Sequence, residues 1–172
     1  MPMKELYEHS QFIMGRYDHY YEGVNNKGNY YITLNGFLIG AVFTMYTTFK
    51  DEPFVSAHCW VVYLMAASIL MGLISIIYTL CAVNPFLKSG NKNKYKSLIF
   101  FGSVAEYEEA SFIKKFENQS KSDVESDMTK QLHQLATGLT GKYKKLSKAG
   151  LALRLEFILI TVLTIIIILN KI

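Results

Sequence analysis

Apolar positions along this chain gather into three blocks instead of spreading evenly. The first block, Tyr30 to Phe49, reads YYITLNGFLIGAVFTMYTTF and holds no charged residue. It matches the roughly 20 residues that a bilayer-spanning helix needs. Lys50-Asp51-Glu52-Pro53 then brings three charges and a proline, which neither stay in hydrocarbon nor continue a helix. A second uncharged run extends from Ala57 to Val83 and closes at Asn84-Pro85, where proline ends a helix or begins a turn. A third covers Leu155 to Leu169. The pattern predicts a transmembrane hairpin over 30–83, with spans 30–49 and 57–83, and a third transmembrane helix over 151–170.

The flanking stretches change period. From Leu6 to Val24, apolar and aromatic residues recur at helical spacing around Glu8, Arg16, Asp18, His19 and Glu22. No proline separates this amphipathic helix from the first span. One long helix is therefore expected, with residues 1–29 leading into the membrane and Tyr30 and Tyr31 at the interface. Inside the span, Asn35 is suited to bond across helices, and Gly36 and Gly40 make a small-xxx-small face for helix–helix or oligomer contact. Beyond Pro85, Lys88, Lys92, Lys94 and Lys96 form a basic loop, which assigns the N-terminus and the region 84–150 to the cytoplasm.

Leu98 to Phe101 reads as a strand or as an extended segment pinned against helices. Ser103-Val104-Ala105-Glu106 fits a capping box opening a helix to about residue 118, and Ser122-Asp123-Val124-Glu125 fits a second. After it, Val124, Met128, Leu132, Leu135, Leu139, Tyr143 and Leu146 make a helical stripe that no proline separates from the third span. A continuous helix there is about 72 Å long, of which a span uses about 30 Å. Arg154 and Glu156 are expected at the interface, with snorkelling side chains. The fold class is an all-α membrane protein, three transmembrane helices with a cytoplasmic helical bundle formed by helix extensions. The expected bundle core is Ile13, Tyr17, Tyr20, Phe101, Tyr107, Phe112, Leu132, Leu135 and Leu139.

Composition narrows the chemistry. The net charge of +4 is explained by lysine at cytoplasmic flanks, and no nucleic-acid-binding module accompanies it. Cys59 and Cys81, on one helix, lie about 33 Å apart, far beyond disulfide reach. His9, His19, His58 and His133 are scattered, and no phosphate loop, nucleophile elbow or paired Cys motif occurs. No enzyme, metal or cofactor is indicated. Asn26 and Lys27 on the first helix and Lys142 and Tyr143 on the last lie just below the membrane and are candidates for an anionic ligand, lysine suiting phosphate and amides suiting a base edge. A purely positive-inside charge pattern is the alternative.

The order of these features resembles one family. Asp18 lies on the first helix, Asn26-Lys27 leads into a span carrying Asn35-Gly36, and Asn84-Pro85 follows the second span. Phe100-Phe101-Gly102 precedes a helix with Tyr107, and the Gln131 helix and Lys142-Tyr143 precede the closing span. This layout, nearly the whole chain, is similar to Pycsar-type transmembrane effectors, small bacterial antiphage membrane proteins. Gly28-Asn29-Tyr30 departs from it, standing where small apolar residues are expected. The resemblance implies an inner-membrane protein; a homo-oligomer is expected from the spans themselves, since three in one chain, with Asn35, Gly36 and Gly40, cannot enclose a wide pore. The resemblance also implies an activating ligand, cyclic UMP or cyclic CMP, made by a separate cyclase, and impairment of the membrane that stops the infected cell. The alternative is a non-gated membrane scaffold whose cytoplasmic bundle binds a partner protein.

Overall fold

The computed structural model describes residues 3–84 and 96–170, and all its regular structure is helical. Pro85 and the lysines Lys88, Lys92 and Lys94 lie outside the described residues. α1 (Met3–Phe49) runs unbroken through Asn25 and Asn26. It ends where the charged break begins, the Lys50 N–H donating to Tyr46 O at 2.9 Å. Pro53 opens α2 (Pro53–Ala57), a position where its missing N–H costs nothing. α3 (Cys59–Val83) follows, then the short α4 (Phe101–Val104) and α5 (Glu109–Glu117), and finally α6 (Lys121–Leu169). Among the described residues, α1, α3 and α6 are each long and apolar enough to cross a membrane.

The chain forms two compact units, Met1–Gly23 with Pro85–Gly141, and Val24–Asn84 with Lys142–Ile172. In the first unit, Leu98 to Phe100 is a run of bends, neither a strand nor an extended segment, and Phe101 already opens α4. The Leu98 N–H donates to Asp127 Oδ2 at 2.8 Å, and the Ile99 and Phe100 N–H groups donate to Ser97 Oγ at 3.1 and 3.0 Å. With its amides taken by side chains, this segment has no ladder to join.

The expected helix from Ser103 to residue 118 is corrected to two pieces. Phe100 O accepts from the Ser103 and Val104 N–H groups, so the first turn starts early and closes as α4. Glu106 turns instead to Lys96, 3.2 Å away. The second capping box also moves. Ser120 and Asp123 satisfy each other's amides, with the Asp123 N–H to Ser120 Oγ at 3.2 Å and the Ser120 N–H to Asp123 Oδ2 at 3.1 Å. This is the reciprocal geometry of a capping box with Asp in the acidic place, two residues upstream of Ser122.

Of the expected core, Leu139 is buried and Ile13, Tyr17, Tyr107, Phe112, Leu132 and Leu135 are half-buried. Tyr20 and Phe101 are exposed instead. Tyr20 lies under the Arg16 guanidinium, and the Phe101 ring packs on its neighbour Phe100 at 4.9 Å, so each finds a local partner at the surface. The Tyr21 hydroxyl joins the two long helices by donating to Leu135 O at 2.9 Å. Burial, with the Asp18 carboxylate adding to it, raises the Tyr21 phenol above its ordinary range.

The second unit buries polar side chains among its apolar ones and turns large apolar side chains outward. Phe37, Tyr63, Leu70, Ile77 and Ile158 face outward, while Asn35, Ser68, Ser75, Thr79 and Glu156 are fully buried. That arrangement suits hydrocarbon as the surrounding solvent, because polar groups there must be satisfied between helices. One relay joins all three spans. Asn35 Nδ2 donates to Ser75 Oγ at 3.0 Å, and the Ser75 hydroxyl donates to Ala149 O at 3.0 Å. Toward the α2 end, Val42, Val61, Met65 and Leu163 form an apolar cluster. Glu156 is corrected from an interfacial position to the interior. It fits because Gly72 has no side chain, a Cβ there falling 2.6 Å from Glu156 Oε1. Arg154, by contrast, is exposed.

Two predictions follow from these contacts. Ser75→Ala removes both relay bonds. At about 0.6 kcal/mol for an average interhelical bond in a membrane, it lowers stability by about 1 kcal/mol, read as a lower unfolding midpoint in detergent. An unchanged midpoint sinks the relay as a determinant. The second concerns Asp123, whose acidity rises because the Ser120 side chain and then its amide donate to the carboxylate. A depressed carboxylate stabilises above its ordinary range and loses that contribution as pH falls through its folded value. The protection of the Asp123 and Val124 amides, read as hydrogen exchange relative to the intrinsic rate at each pH, therefore falls on acidification in the wild type and is already low in Ser120→Ala. Equal protection in the two proteins at neutral pH rules the cap out.

Candidate functional site

The first unit holds an open basin of about 300 Å³ whose lining includes Lys96, Tyr107, Lys115, Asn118, Gln119 and Lys130. Local geometry explains the clustering. Lys115 lies in the last turn of α5, and Asn118 and Gln119 follow in the turn just past its end at Glu117. Asp123, Ser126, Asp127 and Lys130 are spaced i, i+3, i+4, i+7 at the start of α6, which puts them on one face, and also line the basin. Leu98 completes it, held by the Asp127 carboxylate.

Tyr107 is the centre of this arrangement. The Lys115 and Lys96 ammonium groups lie 4.8 and 5.3 Å from its ring centroid. Its hydroxyl donates to Lys96 O at 3.2 Å, and its ring tilts against Phe112 at 6.3 Å. Cations over an aromatic face are held weakly at exposed sites, by about 0.5–1 kcal/mol. Lys115 is thus held loosely, while Lys96 is also paired with the Glu106 carboxylate at 3.2 Å. An aromatic face, lysine ammoniums and carboxamides together suit a small anion carrying a flat ring, at the lower end of the roughly 300–1,000 Å³ of small-molecule sites.

The residues singled out by sequence occupy the second unit. Asn26, Lys27 and Tyr143 are exposed, and Lys142 is buried. The Lys142 ammonium donates to Ala82 O, Val83 O and Asn84 O at 2.7, 3.0 and 2.7 Å. It thereby closes the C-terminal end of α3, where free carbonyls and the helix dipole favour a cation. Lys145 adds a bond to Cys81 O at 3.1 Å. Burial, with the Lys145 charge adding to it, pulls the Lys142 ammonium below the usual lysine range. Gly28 meets the same helix end, in contact with the Val83 side chain. The structure thus brings Lys142 and the Gly28 turn of α1 to one level of α3. Asn35 is turned inward, whereas Gly36 and Gly40 face outward with open space where a Cβ would stand.

The sequence places Tyr107 in the bundle core and does not mark Lys115, because the lysines next to the spans carry the stronger charge pattern. The available signal was the repeated i, i+3, i+4 spacing of polar residues on either side of the turn at 118–120. Among the described residues, no group of His, Cys, Asp and Glu has the makings of a metal site.

No curated protein and no solved structure matches the chain. A family model does, the Pycsar effector protein domain (PycTM), over residues 9–169. That match takes in all three spans and the basin, and the chain belongs to the Pycsar effector family.

Proposed function

We propose that this protein is an antiphage effector of the bacterial inner membrane that binds cyclic UMP or cyclic CMP and then permeabilises the bilayer, stopping the infected cell. Family membership supports the class of effector. The observation that carries the ligand reading is the basin around Tyr107, with its lysines and carboxamides. In this reading a pyrimidine ring displaces the lysine ammoniums from the Tyr107 face, and Lys96 and Lys115 move onto the cyclic phosphate. Asn118 and Gln119 read the base edge. The N-terminus and the basin lie on the cytoplasmic side, where a cyclase product is released. Gly36 and Gly40, exposed on α1, supply a face for packing against a second copy within an oligomer.

Lys142 then acts on the spans and not on the ligand. It sits on α6, the helix that also carries Lys130 of the basin. A displacement of that helix draws the ammonium off the α3 carbonyls and frees the end of the second span. Asn26, Lys27 and Tyr143 form the competing ligand position, being exposed near the same helix end.

Titration calorimetry of the detergent-purified full chain with each cyclic nucleotide tests the reading. Stacking contributes about 1–3 kcal/mol per base and a charge-assisted hydrogen bond about 1.5–3 kcal/mol. Tyr107→Ala and Lys115→Ala each weaken binding about tenfold or more, and Lys27→Ala leaves it unchanged. Loss of binding in Lys27→Ala alone moves the ligand to the Asn26–Tyr143 position. If neither nucleotide binds the wild type, the protein is a non-gated scaffold.

The clamp is tested separately. Lys142→Met strands three carbonyls at the end of α3 and weakens the closed arrangement by about 2 kcal/mol. Vesicles carrying this variant leak a trapped dye without any nucleotide, faster than those with wild type. Tight vesicles together with an unchanged unfolding midpoint remove Lys142 from the mechanism.

A further inference from the structure

The interior of the three spans holds one ionisable side chain that nothing above employs. Glu156 of α6 is 0% exposed, and neither carboxyl oxygen has a hydrogen-bond partner. Asn35 Oδ1 is likewise buried and unpartnered. Asn35 bonds to Ser75 and Glu156 rests on Gly72, so the two lie about one turn of α3 apart. Ile39 of α1 also reaches Gly72, 3.0 Å from where a Cβ would be. The unsatisfied atoms here are all oxygens, and none of them has a hydrogen-bond partner.

These atoms belong to a continuous polar line. Ser68, Gly72, Ser75 and Thr79 are all buried and recur every three or four residues on α3. The line covers twelve residues, about 17 Å of helix. The outward faces of the same helices carry Phe37, Tyr63, Leu70, Ile77 and Ile158, which cannot line water. If the helices part, water enters along the polar line, and Glu156 is the charge it meets. The neighbouring elements bring no compensating cation. Tyr30 to Phe49 of α1 and Cys59 to Val83 of α3 contain no Asp, Glu, Lys, Arg or His. Their titratable side chains are Tyr30, Tyr31, Tyr46, Tyr63, Tyr78, Cys59 and Cys81. Of these, Tyr31 directs its hydroxyl at Gly150. On α6 itself, Arg154 is exposed and donates through Nε to Gly150 O. Lys142 and Lys145 are held on carbonyls at the C-terminal end of α3.

An unpaired buried carboxyl destabilises the closed bundle, and a leucine would fill that space without the penalty. Intramembrane acids are arranged to serve ion pathways, and fixed acidic groups lining a pore favour cations. We propose that the polar line from Ser68 to Thr79 is the path opened by the activated protein, and that Glu156 makes it select for cations. This rests on the reading that the protein permeabilises a membrane, and the experiment separates the two.

The full chain is reconstituted in planar bilayers under a potassium chloride gradient, with cyclic UMP and cyclic CMP as probes, and the reversal potential is measured. The wild type gives a potassium-to-chloride permeability ratio well above one. Glu156→Asp retains it, and Glu156→Gln brings it close to one. A ratio that Glu156→Gln leaves unchanged, or an anion-selective wild type, overturns this inference while leaving permeabilisation standing. Absence of any conductance overturns both.

A second arm needs neither a variant nor a nucleotide. Carboxyls in apolar surroundings react with dicyclohexylcarbodiimide. The acid adds across one C=N bond, its proton going to nitrogen and its oxygen to carbon, and the acyl group then migrates to nitrogen with no leaving group. Peptide mapping of wild-type membranes shows the reagent's full mass on Glu156. An unmodified Glu156 in membranes where the reagent labels other proteins overturns the placement of the carboxyl.

Discussion

Hydrocarbon offers no hydrogen bonds, and the second unit is built around that deficit. Every polar side chain within its spans must turn toward another helix or back to its own backbone. Ser68 and Thr79 take the second course, bonding to Met65 O and Ser75 O. Asn35 and Ser75 take the first and so fix the mutual register of α1, α3 and α6. Apolar packing alone would not, since a lipid tail is as good a neighbour for leucine as another leucine. The relay decides which faces point inward. It leaves Gly36 and Gly40 outside and carries Glu156 inside, against the one place on α3 where a glycine makes room.

The sequence shows the lengths and order of the helices well and their contacts poorly. The three spans, the unbroken α1 and the long α6 follow from uncharged runs and missing prolines, signals that need no knowledge of neighbours. The capping boxes were ambiguous for a local reason. Ser120-x-x-Asp123 and Ser122-x-x-Glu125 overlap in sequence, and Asp123 bonds Ser120 in the folded chain. Ser103-x-x-Glu106 has the right spacing too, yet the Ser103 N–H already goes to the Phe100 carbonyl and the Glu106 N–H to the Ser103 carbonyl. Tyr20 and Phe101 have the hydrophobicity of core residues but find partners on their own segments. Glu156 could not be placed from sequence, because its burial depends on Gly72, 84 positions away. The basin around Tyr107 combines α5, α6 and the segment before α4, and only its polar spacing was visible beforehand.

Lys142 shows how one residue can satisfy a sequence expectation of place and still change in meaning. A lysine beneath a membrane invites a phosphate. In the folded chain its three N–H groups instead serve the last carbonyls of α3, groups that have no partner within their own helix. Such an end would otherwise need water at the edge of the bilayer. The clamp therefore makes the second span depend on the position of α6, which is what an effector needs if a signal received by one unit is to act on the other.

The energetics of that dependence limit the mechanism. A ligand moves a two-state equilibrium only by its difference in affinity for the two states. Passing from about 1:99 to 99:1 takes about 5.5 kcal/mol. Stacking on Tyr107 and one or two charge-assisted bonds reach that figure only if most of them are absent before activation. The resting basin meets the condition at Lys115, whose ammonium rests on the Tyr107 ring, whereas Lys96 must also leave the Glu106 carboxylate 3.2 Å away. Opposing the switch are the three bonds of Lys142 and the two of the Ser75 relay. Acting with it is the unpaired carboxyl of Glu156, which is worse placed in the closed bundle than in water. Under the proposed gating, the bonds at the end of α3 hold the closed state and the unpaired Glu156 carboxyl loosens it from within the spans, so the ligand's differential affinity has to supply the remainder.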